Sequence, residues 1–147
     1  MGILADLFVA TPAEATAYEA SLLQSSPGIE VQYDPKQFRN VTDINFSILY
    51  ALVEDEPWNL EKHRLKLIHL GDDGESWLFE LPRELCEKLA KLSDQELDDL
   101  TTAWAATEEF VIAQWTASDV APLTEALREL SKRAIESERG LYLWGSL

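Results

Sequence analysis

The chain has 147 residues, 46% of them hydrophobic, and a formal net charge of −15. This length suits one globular domain with a substantial core, here residues 1–147, and the apolar content excludes an intrinsically disordered chain. Phosphate backbones and anionic lipid surfaces are bound by clustered Lys and Arg, so the charge argues against nucleic-acid and membrane-surface partners. A basic protein is the partner that such a charge favours.

The apolar stretches, the first residues and the cysteine content indicate the compartment and its redox state. No apolar stretch approaches the roughly 20 residues that cross a bilayer. The first residues hold no Lys or Arg before a short apolar run, which is a poor secretory signal. The single cysteine, Cys86, cannot form an internal disulfide, as is typical of a reducing compartment. We therefore expect a cytoplasmic protein without a membrane segment.

Three elements are predicted at the start of the chain. Residues 3–10 are apolar apart from one Asp and indicate a buried strand. Residues 11–14 (TPAE) combine a capping box with proline at the first helical position, which predicts a helix ending near Leu23. Alternation of apolar and polar residues over 29–33 predicts a second strand.

A second helix and a hairpin follow. Thr42 or Asp43 can cap a helix with apolar residues on one face, and the acidic run 54–57 (EDEP) ends it. Two apolar runs around the Gly-Asp-Asp-Gly turn at 71–74 predict a β-hairpin over 64–81. The turn acids lack the alternating ligands of a calcium loop, so turn chemistry is the better interpretation.

The rest of the chain is mainly helical. Pro82 starts a third helix that runs through Leu92, with Cys86 on its inner face. Ser93-Asp94-Gln95-Glu96 is a capping box for a long fourth helix, and Ser118 or Asp119 can start a fifth. The apolar tail Leu141–Trp144 predicts a docked terminal strand. These elements predict an α+β fold with about five helices packed on a small antiparallel sheet that contains the 64–81 hairpin.

Glu108 is the candidate for chemistry. In the fourth helix, 100° per residue places Glu108 within 40° of Trp104, on the apolar stripe shared with Val111 and Trp115. A buried carboxylate needs partners or holds its proton. Two interpretations remain open: a core glutamate that pins neighbouring elements together, and a general acid or base in a small hydrolase or isomerase.

The histidines are the possible catalytic partners of Glu108. His63 and His69 are six residues apart, which places them on one side of a strand but about 20 Å from each other. That distance and the absence of a zinc motif argue against a metal site, and nothing in the sequence indicates a cofactor. His69, near Asp72 and Asp73, is the imidazole that we pair with Glu108 in the catalytic hypothesis.

A binding role without catalysis is the function that we favour. The predicted contact surface joins Glu54, Asp55, Glu56 and Trp58 with the exposed acids of the fourth helix. An inhibitor or immunity-type protein directed at a basic enzyme is one concrete version. Phe110 falls away from the apolar stripe. Either the fourth helix is packed within the protein on two sides and buries Phe110, or Phe110 adds to the contact patch.

A structural role as a homo-oligomer is the third hypothesis. Its interface would use Phe110 or the Leu141–Trp144 tail, both of which are apolar.

Overall fold

The computed structural model describes residues 3–23, 34–71 and 74–147. Within these ranges there are five strands: β1 Leu4–Ala10, β2 Lys36–Arg39, β3 Lys66–Leu70, β4 Ser76–Glu80 and β5 Gly140–Ser146. The same ranges hold seven helices: α1 Pro12–Leu23, α2 Asp43–Val53, α3 Leu60–His63, α4 Arg83–Ala90, α5 Asp94–Ala105, α6 Glu108–Ile112 and α7 Ala117–Glu136.

The predicted α+β class is confirmed, and so is the hairpin, formed by β3 and β4. The predicted strand 29–33 lies outside the described residues, as do Asp72 and Asp73.

All five strands form one antiparallel sheet in the order β2-β1-β5-β4-β3. The terminal strand β5 is central: Leu143 pairs with Leu7 of β1 on one side and with Phe79 of β4 on the other. The tail Leu141–Trp144 therefore docks as a strand, as predicted. Its predicted role as an oligomer interface is wrong, because both edges of β5 are hydrogen-bonded within the chain.

The two faces of the sheet support unequal cores. Leu7 and Val9 of β1 face the larger cluster, which the buried faces of α2, α4, α5 and α7 complete. Phe8 and Ala10 face a smaller cluster together with Tyr18 of α1. Because successive side chains of a strand point to opposite faces, β1 is buried on both sides. This explains why its sequence is nearly continuous in apolar residues.

The one acid of β1, Asp6, lies on the smaller face. Its side chain is buried, and the hydroxyl of Tyr18 donates a hydrogen bond of 2.7 Å to Oδ2. Burial raises the pKa of the Asp6 carboxyl above its ordinary value of 3.8, and hydrogen bonds from Tyr18 and Gln37 only partly oppose this. The charged form of Asp6 is therefore less favourable in the folded protein than in the unfolded chain.

This shift predicts a pH dependence of stability. A raised pKa means that the folded state binds more protons, so ionisation of Asp6 lowers the free energy of unfolding as pH rises from 3.8 through the folded-state value. We expect Asp6→Asn to gain stability relative to the wild type over this window, by about 1.4 kcal/mol per unit of pKa shift. Urea unfolding of both proteins at about pH 3.5, 5 and 7 measures it. Carboxyl groups common to both proteins cancel in the difference, and a difference that does not change with pH would contradict the prediction.

The predicted fourth helix is two helices. α5 ends at Ala105, and Thr107 has extended backbone angles (φ −68°, ψ 152°) before α6 begins at Glu108. The Thr107 hydroxyl donates a 2.6 Å hydrogen bond to the carbonyl of Trp104, a local bond that competes with helix continuation. Glu108 and Glu109 then occupy the first turn of α6, where the helix dipole favours negative charge.

Candidate functional site

The acidic run at 54–57, here named the charged turn, is largely neutralised within the chain. Glu54 caps the C-terminus of α2, and Lys88 of α4 lies 2.8 Å from its carboxylate. Lys62 of α3 lies 2.7 Å from the carboxylate of Glu56 and is the main reason that the pKa of Glu56 is lowered. The side chains of Glu54 and Glu56 are only 21% and 30% exposed. Two of the predicted partner-binding acids thus hold α3 and α4 against the end of α2.

His63 is fully buried on α3 and contacts the charged turn. Its Nδ1 lies 3.0 Å from the backbone nitrogen and 3.1 Å from the carbonyl oxygen of Asn59, and its Nε2 lies 3.0 Å from Glu56 Oε1. The ring also makes an edge contact with Tyr50, at 5.4 Å between centroids. Both ring nitrogens are therefore engaged. The expectation that His63 and His69 share a side of one strand is wrong, because His63 belongs to a helix.

Tyr50 joins the same network on the side of α4. Its hydroxyl donates to Glu84 Oε2 at 3.1 Å. Burial raises the pKa of Tyr50 to about 12, helped by the hydrogen bond to Glu84 and the nearby charges of Glu84, Glu54 and Glu56. The phenol therefore remains protonated at neutral pH. The network of Tyr50, His63 and the charged turn links α2, α3 and α4, although Oε1 of Glu54 is buried without a hydrogen-bond partner among the described residues.

Two of the predicted partner-binding residues remain accessible beside this network. Asp55 is exposed, and its backbone adopts a positive φ of 54° in the turn. Trp58 is 44% exposed, as predicted for a loop residue, while its indole N–H donates a 2.7 Å hydrogen bond to Ser47 Oγ. That bond fixes one edge of the indole and leaves the rest in solvent.

The two candidate catalytic residues lie on different elements. Glu108 is exposed at the start of α6, so the prediction that it turns toward the core is wrong. The error follows from the break at Thr107, which ends the 100° progression from Trp104. His69 is exposed on the edge strand β3, whose main contacts are with β4. Within the described parts of the chain, no hydrogen bond joins the two side chains.

Phe110 is buried and not part of a surface patch. It is 1% exposed, and its ring lies 5.1 Å from the rings of Trp104 and Trp115. The prediction that it contributes to a partner or oligomer interface is therefore wrong. Of the two alternatives for Phe110, packing in the core is the one observed.

The residues that do protrude from α6 are Val111 and Ile112, 59% and 73% exposed. The continuous-helix interpretation had placed Val111 on the buried stripe. Asp98 and Asp99 are exposed on α5, and Glu108 is exposed on α6. We name Asp98, Asp99, Glu108, Val111 and Ile112 the acidic face. The signal that would have located it is Thr107 followed by two glutamates, a helix-start pattern.

The charges of the acidic face have no neutralising partners nearby. The sequence has no Lys or Arg between residues 93 and 119. Among the described residues, Asp98, Asp99 and Glu108 take part in no ion pair; the only acid of α5 that does is Asp94, 2.9 Å from Arg128. The acidic face therefore differs from the charged turn, where lysines of the same chain form ion pairs with the carboxylates.

Because the comparisons with known proteins found no match, the fold and these surfaces are the basis for assigning a function. No protein-family model, curated protein or solved structure matches this chain. In the described ranges, no helix combines the length and apolarity needed to span a bilayer. Over the same residues, no three His, Cys, Asp or Glu side chains come together in a group that could hold a metal ion. The molecule is thus defined by class: an α+β domain with a five-stranded antiparallel sheet and an acidic helical surface.

Proposed function

We propose that this protein is a non-catalytic binding domain that recognises a basic protein through the acidic face. The observation that carries the proposal is the exposure of Val111 and Ile112 one helical turn after Glu108, in a segment that has no Lys or Arg between residues 93 and 119. An acidic surface attracts a cationic partner and accelerates its association, while apolar side chains that become buried supply most of the affinity. An inhibitor of a basic enzyme would use this combination.

The arrangement of charges favours the acidic face over the charged turn. At the charged turn a partner's cations would have to displace Lys62 and Lys88 from carboxylates that they already contact. At the acidic face the carboxylates are solvated, so a partner's Lys or Arg replaces only water and counter-ions. Full burial of an exposed Val or Ile side chain contributes about 1.5–3 kcal/mol, which makes Ile112 the expected anchor.

The test compares two variants with the same change in charge. The face variant carries Asp98→Asn, Asp99→Asn and Glu108→Gln; the control variant carries Glu61→Gln, Glu136→Gln and Glu138→Gln, all exposed and without ion pairs among the described residues. Proteins retained by the immobilised wild type are purified, and their affinities for both variants and for Ile112→Ser are measured at low and high salt.

The proposal requires a basic protein whose affinity falls at least tenfold with the face variant and with Ile112→Ser. The control variant should bind like the wild type, and salt should weaken binding by slowing association. A retained protein that is acidic, or that binds all variants equally at every salt concentration, would refute the proposal. So would self-association of this chain that Ile112→Ser abolishes, because the acidic face would then be a dimer interface.

A further inference from the structure

A cavity of about 200 Å³ lies at one end of the sheet, away from the acidic face. It forms where β4 ends at Glu80, β5 begins at Gly140 and the helices α4 and α7 meet. Its floor is apolar and is made by Leu81, Ile135 and Leu141. The cavity therefore combines backbone from two adjacent strands with side chains from two packed helices, which are rigid supports for a binding site.

Several polar side chains line this cavity, including Glu80, Arg83, Glu138, Arg139 and Tyr142, and described residues use only part of their hydrogen-bonding capacity. The Tyr142 side chain is 1% exposed, and its hydroxyl makes no hydrogen bond with any described residue. Glu80, its cross-strand neighbour, forms no ion pair within the described ranges. Arg139 donates one hydrogen bond from Nε to Ser137 Oγ at 3.0 Å, which leaves both terminal nitrogens of its guanidinium available. The Tyr142 hydroxyl is therefore available to donate a hydrogen bond to a ligand in the cavity.

The position of Tyr142 is set by a close approach to the backbone. An added Cβ on Gly140 would lie 3.3 Å from the Tyr142 hydroxyl and 3.1 Å from its ring. Glycine at 140 therefore leaves room for the phenol to lie along the start of β5 beside the cavity. Burial, followed by the charge of Glu80, raises the pKa of Tyr142 to about 12, so the hydroxyl is a hydrogen-bond donor at neutral pH.

We propose that this cavity binds a small zwitterion of the α-amino-acid type, with its carboxylate on Arg139 and the Tyr142 hydroxyl and its ammonium group on Glu80. A guanidinium and a hydroxyl are suitable donors for a carboxylate, and a carboxylate is the natural acceptor for an ammonium group. The apolar floor accommodates a short aliphatic side chain. One liquid water takes about 30 Å³, so the volume corresponds to roughly seven waters and fits an amino acid between alanine and valine in size.

The experiment is a titration of the full-length, ¹⁵N-labelled protein with L-alanine and L-valine, followed by NMR shifts of backbone amides. We expect saturable shifts that concentrate at Leu81, Gly140 and Tyr142. N-acetyl-L-valine keeps only the carboxylate and L-valinamide keeps only the ammonium group, so each should bind at least tenfold more weakly than L-valine. Equal binding by N-acetyl-L-valine would assign the site to a peptide C-terminus or a simple carboxylate and overturn the proposal.

Variants locate the ligand within the cavity. Tyr142→Phe removes only the hydroxyl and should weaken L-valine binding at least threefold, while Arg139→Gln and Glu80→Gln should weaken it at least tenfold. Arg133→Gln is the control, because Arg133 lies on α7 but pairs with Glu129 at 2.6 Å outside the cavity. The spectra of each variant report directly that it is folded. Absence of saturable shifts with both amino acids, or unchanged binding in Tyr142→Phe and Arg139→Gln, would refute the zwitterion site.

Discussion

Replacement of Trp104 by alanine is expected to lower the free energy of unfolding by about 3–5 kcal/mol. Trp104 is fully buried, and its ring contacts those of Phe46 and Phe110 at centroid distances of 5.8 and 5.1 Å. Its indole N–H also donates a 3.0 Å hydrogen bond to the carbonyl of Asn45 on α2. The substitution removes a large apolar volume and the indole hydrogen bond to that carbonyl, and both effects are destabilising.

Urea unfolding of two further variants separates these contributions. Trp104→Phe keeps most of the packing but loses the N–H, so it should cost less than alanine while still costing more than about 1 kcal/mol. Trp58→Ala is the comparison, because Trp58 is 44% exposed; it loses the hydrogen bond to Ser47 but buries less area, so it should cost clearly less than Trp104→Ala. Similar losses for Trp104→Ala and Trp58→Ala would contradict the placement of Trp104 at the centre of the core.

Phe110→Ala is expected to lower the free energy of unfolding by about 3–4 kcal/mol. The side chain is 1% exposed and is held between the rings of Trp104 and Trp115, so truncation opens a cavity that neighbouring aromatic residues fill poorly. The substitution tests the assignment of Phe110 to the core, since a surface residue in a contact patch would lose little stability on truncation.

Ile112 supplies the control for this prediction on the same short helix. It is 73% exposed, so Ile112→Ala should alter the free energy of unfolding by no more than about 0.5 kcal/mol. The two measurements together distinguish the buried side of α6 from the side that we assign to a partner. If Ile112→Ala proved as destabilising as Phe110→Ala, α6 would be oriented differently and the acidic face would lose its apolar anchor.

Local sequence patterns predicted the elements whose signals lie within a few residues of each other. The capping box at the start of α1 is present, with the Thr11 N–H donating to Glu14 Oε1 at 2.9 Å and the Glu14 N–H donating to Thr11 Oγ1 at 3.2 Å. The box at Ser93 and Glu96 starts α5 in the same way. Hairpin, capping and periodicity signals depend on neighbouring residues, so the sequence displays them directly.

One strand was missed and one helix was predicted too long, both for reasons that lie in the local sequence. β2 was not predicted, because four residues of an edge strand, Lys36–Arg39, hold a single apolar side chain. The fourth helix was extended through Thr107, although Thr, Glu and Glu in succession form a helix start. Because the helix was extended, Glu108 and Val111 were both predicted to face the core. Both the proposed catalytic acid and the exposed apolar residue were therefore misplaced.

The candidate site depended on contacts between residues distant in the sequence. The exposed acids of helix four were predicted to belong to a partner surface, and Asp98 and Asp99 are exposed; Glu108, which was predicted to be buried, is exposed as well. The neutralisation of Glu54 could not be predicted, because its partner Lys88 is 34 residues away on another helix. Ion pairs of this kind carry no periodic signal, since any surface lysine could supply the charge.

The sequence by itself determined the class of the protein, the starts of most helices, the hairpin and the acidic character of the surface. Each of these follows from composition or from spacing within one element. Only the tertiary structure placed the terminal strand at the centre of the sheet, buried Phe110, exposed Val111 and Ile112, and brought Glu80, Arg139 and Tyr142 to one cavity. The physical reason is that strand order and helix packing depend on the total apolar surface that the fold buries. Residues far apart in the chain contribute to that surface together.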